Sequence, residues 1–212
     1  MSHQDRFPNT KIHESAYIDD DCTIGAGSSI WHFSHIMPRA QIGERVNIGQ
    51  NVVVSPDVTI GTGCKIQNNV SLYTGVHLDD YVFCGPSMVF TNILTPRCEI
   101  NRRSEYVETR VGYGSSLGAN STIVCGHTIG RFVLVGAGAV VTTNVPDYAL
   151  MLGVPAKRKG WACRCGLVLP NPDTEGNTTC TTCGNQYHQE GALEEARLTP
   201  VKEADPLAVA SH

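Results

Sequence analysis

The sequence lacks three features that would assign it to common classes of partner or compartment. It has no apolar stretch approaching the roughly 18 residues of a membrane-spanning helix. Its N-terminal segment, MSHQDRFPNT, lacks the apolar core of a secretory signal peptide. No run of basic residues suggests a nucleic-acid or membrane surface, and the net charge is −4, so neither is expected as a partner. We therefore expect a cytoplasmic protein.

What the sequence does contain is a six-residue apolar period. Every sixth residue from Ile12 to Phe90 is apolar, and the series resumes from Val111 to Val141. All of these residues are Val, Ile or Leu, except Cys84 and Phe90. A six-residue period is typical of a parallel β-helix, in which short strands bury their apolar side by stacking on the next coil. We therefore predict an all-β fold of triangular coils, each made of three repeats, in which residue n lies next to residue n+18.

Breaks in this period divide the chain into segments. The phase slips between Phe90 and Val111, so residues 91–110 are predicted to form an inserted loop, and such loops often lie at a binding face. The β-helix domain is expected to span residues 12–160. A small module rich in cysteine follows at 161–188. Residues 189–212 are expected to be a tail, either a short helix or disordered.

Polar side chains stack along one side of the predicted coil. The columns contain His32, Gln50 and Asn68, and beside them Asn51, Asn69 and Ser87. The carboxamides either satisfy one another as ladders or form a polar wall for sugar hydroxyls or a nucleotide, because they offer donors and acceptors without a charge to desolvate. We treat all six residues as candidate substrate contacts, together with His35, which we expect on the same face.

Small side chains and a basic cluster follow the insertion. The small residues leave backbone accessible along the axis, so an extended amide-containing arm such as the pantetheine of coenzyme A fits there; alternatively, they only satisfy tight corners. The basic cluster is a candidate for binding the phosphates of coenzyme A, or is an ordinary solvated charge run. The candidate cofactor-binding residues are Ala119, Ala137, Gly138, Ala139, Lys157, Arg158 and Lys159.

Several motifs carry a family resemblance. They are KIQNNVSLYTGV (65–76), FCGPSMVFTN (83–92), LGANSTIVCG (117–126), VGAGAVV (135–141) and VPDYALMLGVPAK (145–157). Together they resemble the sugar-nucleotide N-acetyltransferases of the hexapeptide-repeat acyltransferase superfamily, and most of all the enzymes that act on UDP-2-acetamido-3-amino-2,3-dideoxy-glucuronate. The resemblance implies a left-handed β-helix and a homotrimer with active sites between subunits.

The resemblance also implies a reaction. An acetyl group would pass from acetyl-CoA to the 3-amino group of a UDP-linked 3-amino-uronic acid, in surface-polysaccharide (lipopolysaccharide O-antigen) biosynthesis. By similarity, Asn92 would lie at the reacting centre and Arg102 would contact the substrate. A histidine, an ordered water or the departing thiolate could accept the amine's proton. Another nucleotide-linked amino sugar, such as a dTDP-linked one, and a non-catalytic trimeric scaffold remain as alternatives.

The cysteine module has the spacing of a metal site. Cys163 and Cys165 precede one glycine, and Cys180 and Cys183 precede another. This pattern resembles a zinc ribbon, in which two short turns direct four thiolates at one tetrahedral ion. A segment this short cannot build a sufficient apolar core, so a structural Zn²⁺ is expected to supply its folding energy. Disulfides or iron are the alternatives.

Overall fold

The computed structural model describes residues 6–191 and 195–204. The chain winds as a left-handed parallel β-helix with three flat faces. Most strands contain only two residues, an outward one followed by a buried branched aliphatic. Among the described residues, no helix has the length and apolarity needed to cross a membrane.

The first face contains nine strands, of which only the last is antiparallel to its neighbour. They are β1 (Lys11–Ile12), β4 (Ser29–Ile30), β7 (Asn47–Ile48), β10 (Lys65–Ile66), β13 (Phe83–Cys84), β16 (Ser116–Leu117), β19 (Leu134–Val135), β21 (Ala149–Leu152) and β22 (Lys157–Trp161).

The other two faces are parallel throughout. The second face contains β2 (Tyr17–Ile18), β5 (His35–Ile36), β8 (Val53–Val54), β11 (Ser71–Leu72), β14 (Val89–Phe90), β17 (Thr122–Ile123) and β20 (Val140–Val141). The third face contains β3 (Thr23–Ile24), β6 (Gln41–Ile42), β9 (Thr59–Ile60), β12 (Val76–Leu78), β15 (Thr109–Val111) and β18 (Thr128–Ile129).

The register confirms the predicted coil. Ile48 pairs with Ile66, and the backbone N–H of Gln50 donates to Asn68 Oδ1, a bond between residues separated by 18 positions. The aliphatics of successive coils meet inside the prism, where Ile36 and Val54 are fully buried. No single strand of two residues could bury its apolar side alone, so the core exists only through stacking.

The insertion changes the length of one coil but not the pairing. Leu78 pairs with Val111, which lies 33 positions further on where a regular coil gives 18, so this coil is longer by 15 residues. The excursion ends at Glu108, because Thr109–Val111 already forms a strand of the third face; the predicted loop, 91–110, ended too late. The only regular element inside it is a 3₁₀ turn at Arg103–Glu105.

The C-terminal module (described residues 161–191 and 195–204) adds an antiparallel sheet of three strands. They are β23 (Asn177–Thr179), β24 (Gln186–Glu190) and β25 (Arg197–Lys202). The expectation of a helical or disordered tail is wrong for 197–202, because Leu198 is buried, 4% exposed, and the backbone pairs with β24. Residues 192–194 and 205–212 of the predicted tail lie outside the described residues.

Candidate active site

The predicted carboxamide columns meet at the corner between the first and second faces, which we call the first corner. Asn51 Nδ2 donates to Asn69 Oδ1 at 3.0 Å, and both residues have positive φ, 56° and 61°. Asparagine tolerates this left-handed conformation better than most residues. The Asn51–Asn69 ladder therefore follows from the left-handed conformation of both residues at this corner. Asn68 Oδ1 also accepts a hydrogen bond between neighbouring coils, from the backbone N–H of Gln50. Ser87 continues the second column with a φ of 57°.

A groove of about 310 Å³ lies beside this corner, and we call it the polar groove. Its lining residues are Trp31, His32, Asn47, Gly49, Gln50, Gln67 and Asn68. Trp31 Nε1 donates to Asn47 Oδ1 at 2.9 Å, and the His32 ring stacks on His13 at 3.5 Å between centroids. Sequence reasoning missed Trp31 and Asn47, although Trp31 directly follows Ile30 of the repeat and is therefore outward. An aromatic ring among amide groups suits a planar polar ligand.

His35 does not belong to this groove. It lies in β5 on the second face, so the expectation that it shares a face with the carboxamides is wrong. Its Nε2 lies 3.0 Å from Asp19 Oδ2, and the Tyr17 ring meets it edge-on. The reason is the short repeat: three positions beyond His32 the chain has already turned the corner.

The insertion begins at the corner between the second and third faces, across the second face from the first corner. The Asn92 carbonyl accepts from Val107 N–H at 3.1 Å, which closes the base of the loop. Arg102 Nη1 donates to both carboxylate oxygens of Glu105, at 2.7 and 3.0 Å. Arg102 Nε is buried and has no hydrogen-bond partner within the described chain. Because Asn92 and the polar groove lie at different corners of one prism, they do not share a cleft within a single chain.

The small residues that follow the insertion lie close together on neighbouring coils. Gly138 N–H donates to the Ala119 carbonyl at 2.9 Å, and a Cβ at Gly118 would lie 2.6 Å from the Ala137 nitrogen. The coils therefore approach closely here, and Ala137 and Gly138 are exposed. The Ala139 side chain instead points into the core, 1% exposed, so only its backbone faces the outside.

The basic cluster lies in β22. Lys157 and Lys159 are exposed, whereas the Arg158 guanidinium lies over the Trp161 ring at 4.2 Å. All three line a cavity of about 660 Å³ that also includes Asn144. The two lysines are thus free to meet phosphates, while Arg158 also stabilises the start of the C-terminal module.

The four predicted metal ligands meet. The sulfur atoms of Cys163, Cys165, Cys180 and Cys183 all lie within 4.8 Å of one another. Cys64 of the prism is far from this cluster in the chain and is buried in the core; burial raises the pKa of its thiol to about 12, and the thiol donates to the Asp79 carbonyl at 3.1 Å.

Family models match the repeats. The bacterial transferase hexapeptide model matches residues 21–56 and 39–78, and the hexapeptide repeat of succinyl-transferase matches 108–143.

Individual relatives extend this match over most of the chain. The dTDP-3-amino-3,6-dideoxy-α-D-galactopyranose 3-N-acetyltransferase of Aneurinibacillus thermoaerophilus is 40% identical over 176 residues, which cover 83% of this chain and 89% of the relative. The bifunctional protein GlmU of Synechococcus sp. RCC307 is 33% identical over 67% of this chain, but the match spans only 30% of that protein.

Solved structures share the fold. A histidine-to-alanine mutant of GDP-perosamine N-acetyltransferase from Caulobacter crescentus, in complex with CoA and GDP-perosamine, aligns with a TM-score of 0.50 at 25% identity, over 71% of this chain and 56% of that one. The names of the Aneurinibacillus and Caulobacter enzymes give dTDP- and GDP-linked sugars, so the finer resemblance to UDP-uronate enzymes is not confirmed. The chain belongs to the hexapeptide-repeat family of acetyl-CoA-dependent sugar N-acetyltransferases.

Proposed function

We propose that this enzyme transfers an acetyl group from acetyl-CoA to the 3-amino group of a dTDP-linked 3-amino-3,6-dideoxyhexose, a precursor of surface polysaccharide. The observation that carries the proposal is the 40% identity to an enzyme of that activity over 89% of its length. The pairing of Arg102 with Glu105 supports a sugar without a carboxylate, because the guanidinium charge is already balanced within the loop.

The chemistry is aminolysis of a thioester. The neutral amine attacks the carbonyl carbon, the C–N bond forms, the C–S bond breaks, and coenzyme A leaves as a thiolate. Holding the two reactants at attack distance accounts for about 7–11 kcal/mol of the barrier. Asn92 is the proposed oxyanion donor, and loss of one such donor typically costs about 2.7–4 kcal/mol. The amine's proton leaves to water or to the thiolate.

The remaining candidate residues fall into two groups along the prism. The polar groove, with His32, Gln50 and Asn68, is proposed to hold the nucleotide sugar. The exposed Ala137–Gly138 edge and the lysines Lys157 and Lys159 are proposed to hold the pantetheine and the phosphates of coenzyme A. None of the nine cysteines, which all lie in the described residues, forms a disulfide, and this supports a reducing compartment such as the cytoplasm.

A homotrimer is proposed as the working state. The second face carries exposed apolar side chains, with Tyr17 66% and Val89 46% exposed, and burying them against a neighbouring copy would remove apolar surface from water. Since the polar groove and Asn92 lie at different corners, packing of two chains would let one chain's groove meet the other chain's insertion.

A UDP-linked 3-amino-uronic acid is the second candidate acceptor. The observation that favours it is the buried, unpartnered Nε of Arg102, which a sugar carboxylate could engage if Glu105 moved aside.

A panel of nucleotide amino sugars tests the proposal. The purified protein is mixed with acetyl-CoA and, separately, with dTDP-3-amino-3,6-dideoxygalactose and the UDP-3-amino-uronate, and free thiol and acetylated product are measured. Fastest turnover with the dTDP sugar is expected. Preference for the UDP sugar would select the second candidate. Absence of thiol release with every nucleotide amino sugar would refute the activity, and failure to bind coenzyme A would favour a scaffold.

A further inference from the structure

The two cysteine turns have matching backbone geometry although their spacing differs. In the first turn, Cys163 N–H donates to the Leu167 carbonyl at 2.7 Å, and Gly166 N–H donates back to the Cys163 carbonyl at 2.8 Å. Gly166 has a φ of 92°, in the left-handed region that glycine adopts without strain. This turn is therefore closed on both sides by backbone hydrogen bonds.

The second turn repeats these bonds with one more residue. Cys180 N–H donates to the Asn185 carbonyl at 2.8 Å, Gly184 N–H donates to the Cys180 carbonyl at 3.0 Å, and Gly184 has a φ of 72°. The first turn thus has the same hydrogen-bond pattern as the second with one residue fewer, and both of its thiols still lie in the cluster.

The sulfur spacing fits a tetrahedral metal. Cys163 Sγ lies 3.4 Å from Cys183 Sγ, and Cys165 Sγ lies 3.6 Å from Cys180 Sγ. A tetrahedral zinc with Zn–S bonds of about 2.3 Å places its sulfurs about 3.8 Å apart. Four thiolates favour zinc or iron over the hard cations, which prefer oxygen.

A second set of contacts joins the cysteine turns to the prism. The Tyr187 hydroxyl lies 3.2 Å from Cys163 Sγ and accepts from Arg164 N–H at 3.0 Å. It also donates to Glu203 Oε1 at 3.1 Å, and the same carboxylate oxygen accepts from the Tyr148 hydroxyl at 2.9 Å. Tyr148 belongs to the last coil of the β-helix and is 1% exposed. Glu203 therefore bridges the module and the coil.

An aromatic column continues this link along the prism. Five rings follow one another along the corner between the third and first faces, with neighbouring centroids 5.2–5.5 Å apart; Phe132 and Tyr148 stack, and the other contacts are edge-to-face. They belong to Tyr81, Tyr113, Phe132, Tyr148 and, from the module, Tyr187. The module thus supplies the terminal ring over the last coil of the described part of the chain. Solenoids need such a cap because the final repeat otherwise exposes its apolar interior.

We propose that the four cysteines bind one structural Zn²⁺ and that this metal orders a cap that closes the C-terminal end of the β-helix. The zinc has no open coordination position, so its role is to hold Tyr187 and Glu203 against the last coil. This inference does not depend on the acetyl acceptor.

Metal analysis tests the site directly. The full-length chain is purified under reducing conditions and its metal content is measured. One zinc per chain is expected, and replacement by Co²⁺ should produce the thiolate-to-cobalt charge-transfer and tetrahedral visible bands. The double variant Cys180→Ser/Cys183→Ser should lose the zinc, whereas Cys98→Ser, at an exposed cysteine of the insertion, should keep it. Iron in place of zinc, no tetrahedral cobalt spectrum, or zinc retained by the double variant would each overturn the site.

Tryptophan fluorescence tests the cap without any substitution in the cysteine cluster. Trp161 is 3% exposed and its Nε1 donates to Gln189 of β24 at 2.7 Å, so its emission reports the junction between prism and module. The sequence has 2 tryptophans, and Trp31→Phe leaves Trp161 as the sole reporter. Stripping the metal with a chelator should shift its emission to the red. In the Trp161→Phe variant, Trp31 should not respond. An unchanged Trp161 spectrum after complete metal removal would refute the capping role.

Discussion

The periodic coils and the two aperiodic segments, residues 91–108 and the C-terminal module, obtain their structure in different ways. In the coils, each inward aliphatic meets its equivalents one turn away, as Ile48 meets Ile66. The module has few buried aliphatics, among them Leu169 and Leu198, and its centre is a group of thiols. The insertion has one short 3₁₀ turn with no buried residue. Periodicity thus provides stability, while the segments that break it carry the proposed chemistry and the proposed cap.

A core truncation is expected to have the largest effect. Ile66→Ala should lower the free energy of unfolding by about 2–5 kcal/mol, because Ile66 is fully buried and its loss leaves a cavity between coils. Urea unfolding measures it. Lys65→Ala, one residue away and exposed, is the matched control and should change the value by no more than about 0.5 kcal/mol. Equal effects for the two would contradict the assigned inward and outward positions.

Removing one hydrogen-bonding group from the C-terminal module should lower the free energy of unfolding by less than the core truncation does. Tyr187→Phe removes a buried hydroxyl that bonds Glu203 and Arg164 N–H, so a loss of about 1–3 kcal/mol is expected. Differential scanning calorimetry, with zinc content measured on the same sample, separates this loss from a loss of metal. Tyr113→Phe, in the same aromatic column but within the prism, is the comparison. If Tyr187→Phe unfolds at the wild-type temperature, the Glu203 bridge contributes nothing.

Alkaline pH should destabilise the prism through its buried thiols. Burial raises the pKa of Cys64 from 9.0 to about 12, so the unfolded chain loses this proton before the folded one does. Below pH 9 the contribution of this thiol to the free energy of unfolding is fully present. Between pH 9 and 12 this contribution falls by at most about 1.4 kcal/mol per pH unit. Cys64→Ala should flatten the slope of unfolding free energy against pH, and Cys98→Ala should not. Identical slopes would contradict the burial effect.

The insertion should matter for turnover rather than for stability. Asn92→Ala is expected to lower kcat at least tenfold, which sets a lower bound of about 1.4 kcal/mol on the lost transition-state stabilisation, with the unfolding curve unchanged. Asn101→Ala, a carboxamide at the tip of the same loop, is the control. Wild-type kcat in the Asn92 variant would remove this residue from the mechanism.

Arg102→Ala should give the smallest and most selective change. For a dTDP-linked acceptor without a carboxylate, the KM values of acceptor and acetyl-CoA should both stay close to wild type. For the UDP-uronate, the acceptor KM should rise alone. Steady-state kinetics with both sugars decides between the dTDP-linked and the UDP-linked acceptor. A rise in the KM for acetyl-CoA instead would show that Arg102 contacts acetyl-CoA.

The sequence predicted the register of the prism because the six-residue period reports the fold directly. It also predicted which cysteines meet, since their short turns act locally. It did not reveal the aromatic column, because the successive intervals between its prism residues are 32, 19 and 16 positions and none matches the 18 of a regular coil; these residues are Tyr81, Tyr113, Phe132 and Tyr148. Strand β25 was missed because its pairing with β24 is tertiary and leaves no periodic signal.

The candidate site was predicted only in outline. The sequence predicted that Asn51 stacks on Asn69. The left-handed backbone conformation of both residues at the corner explains this stack without a ligand. Trp31 and Asn47 were overlooked because the six-residue period shows only which positions face outward. It does not show which outward side chains line a groove. The nucleotide of the acceptor depends on a few side chains and is not encoded in the six-residue period.

The pairing of β12 with β15 across the insertion has a consequence for how such proteins diversify. The strands at the two ends of the loop, β14 and β15, both pair with strands of the prism, so the loop can be lengthened, shortened or exchanged while the strands above and below keep their neighbours. Grafting the insertion of a relative with a different acceptor onto this scaffold should therefore transfer substrate preference without a new folding problem.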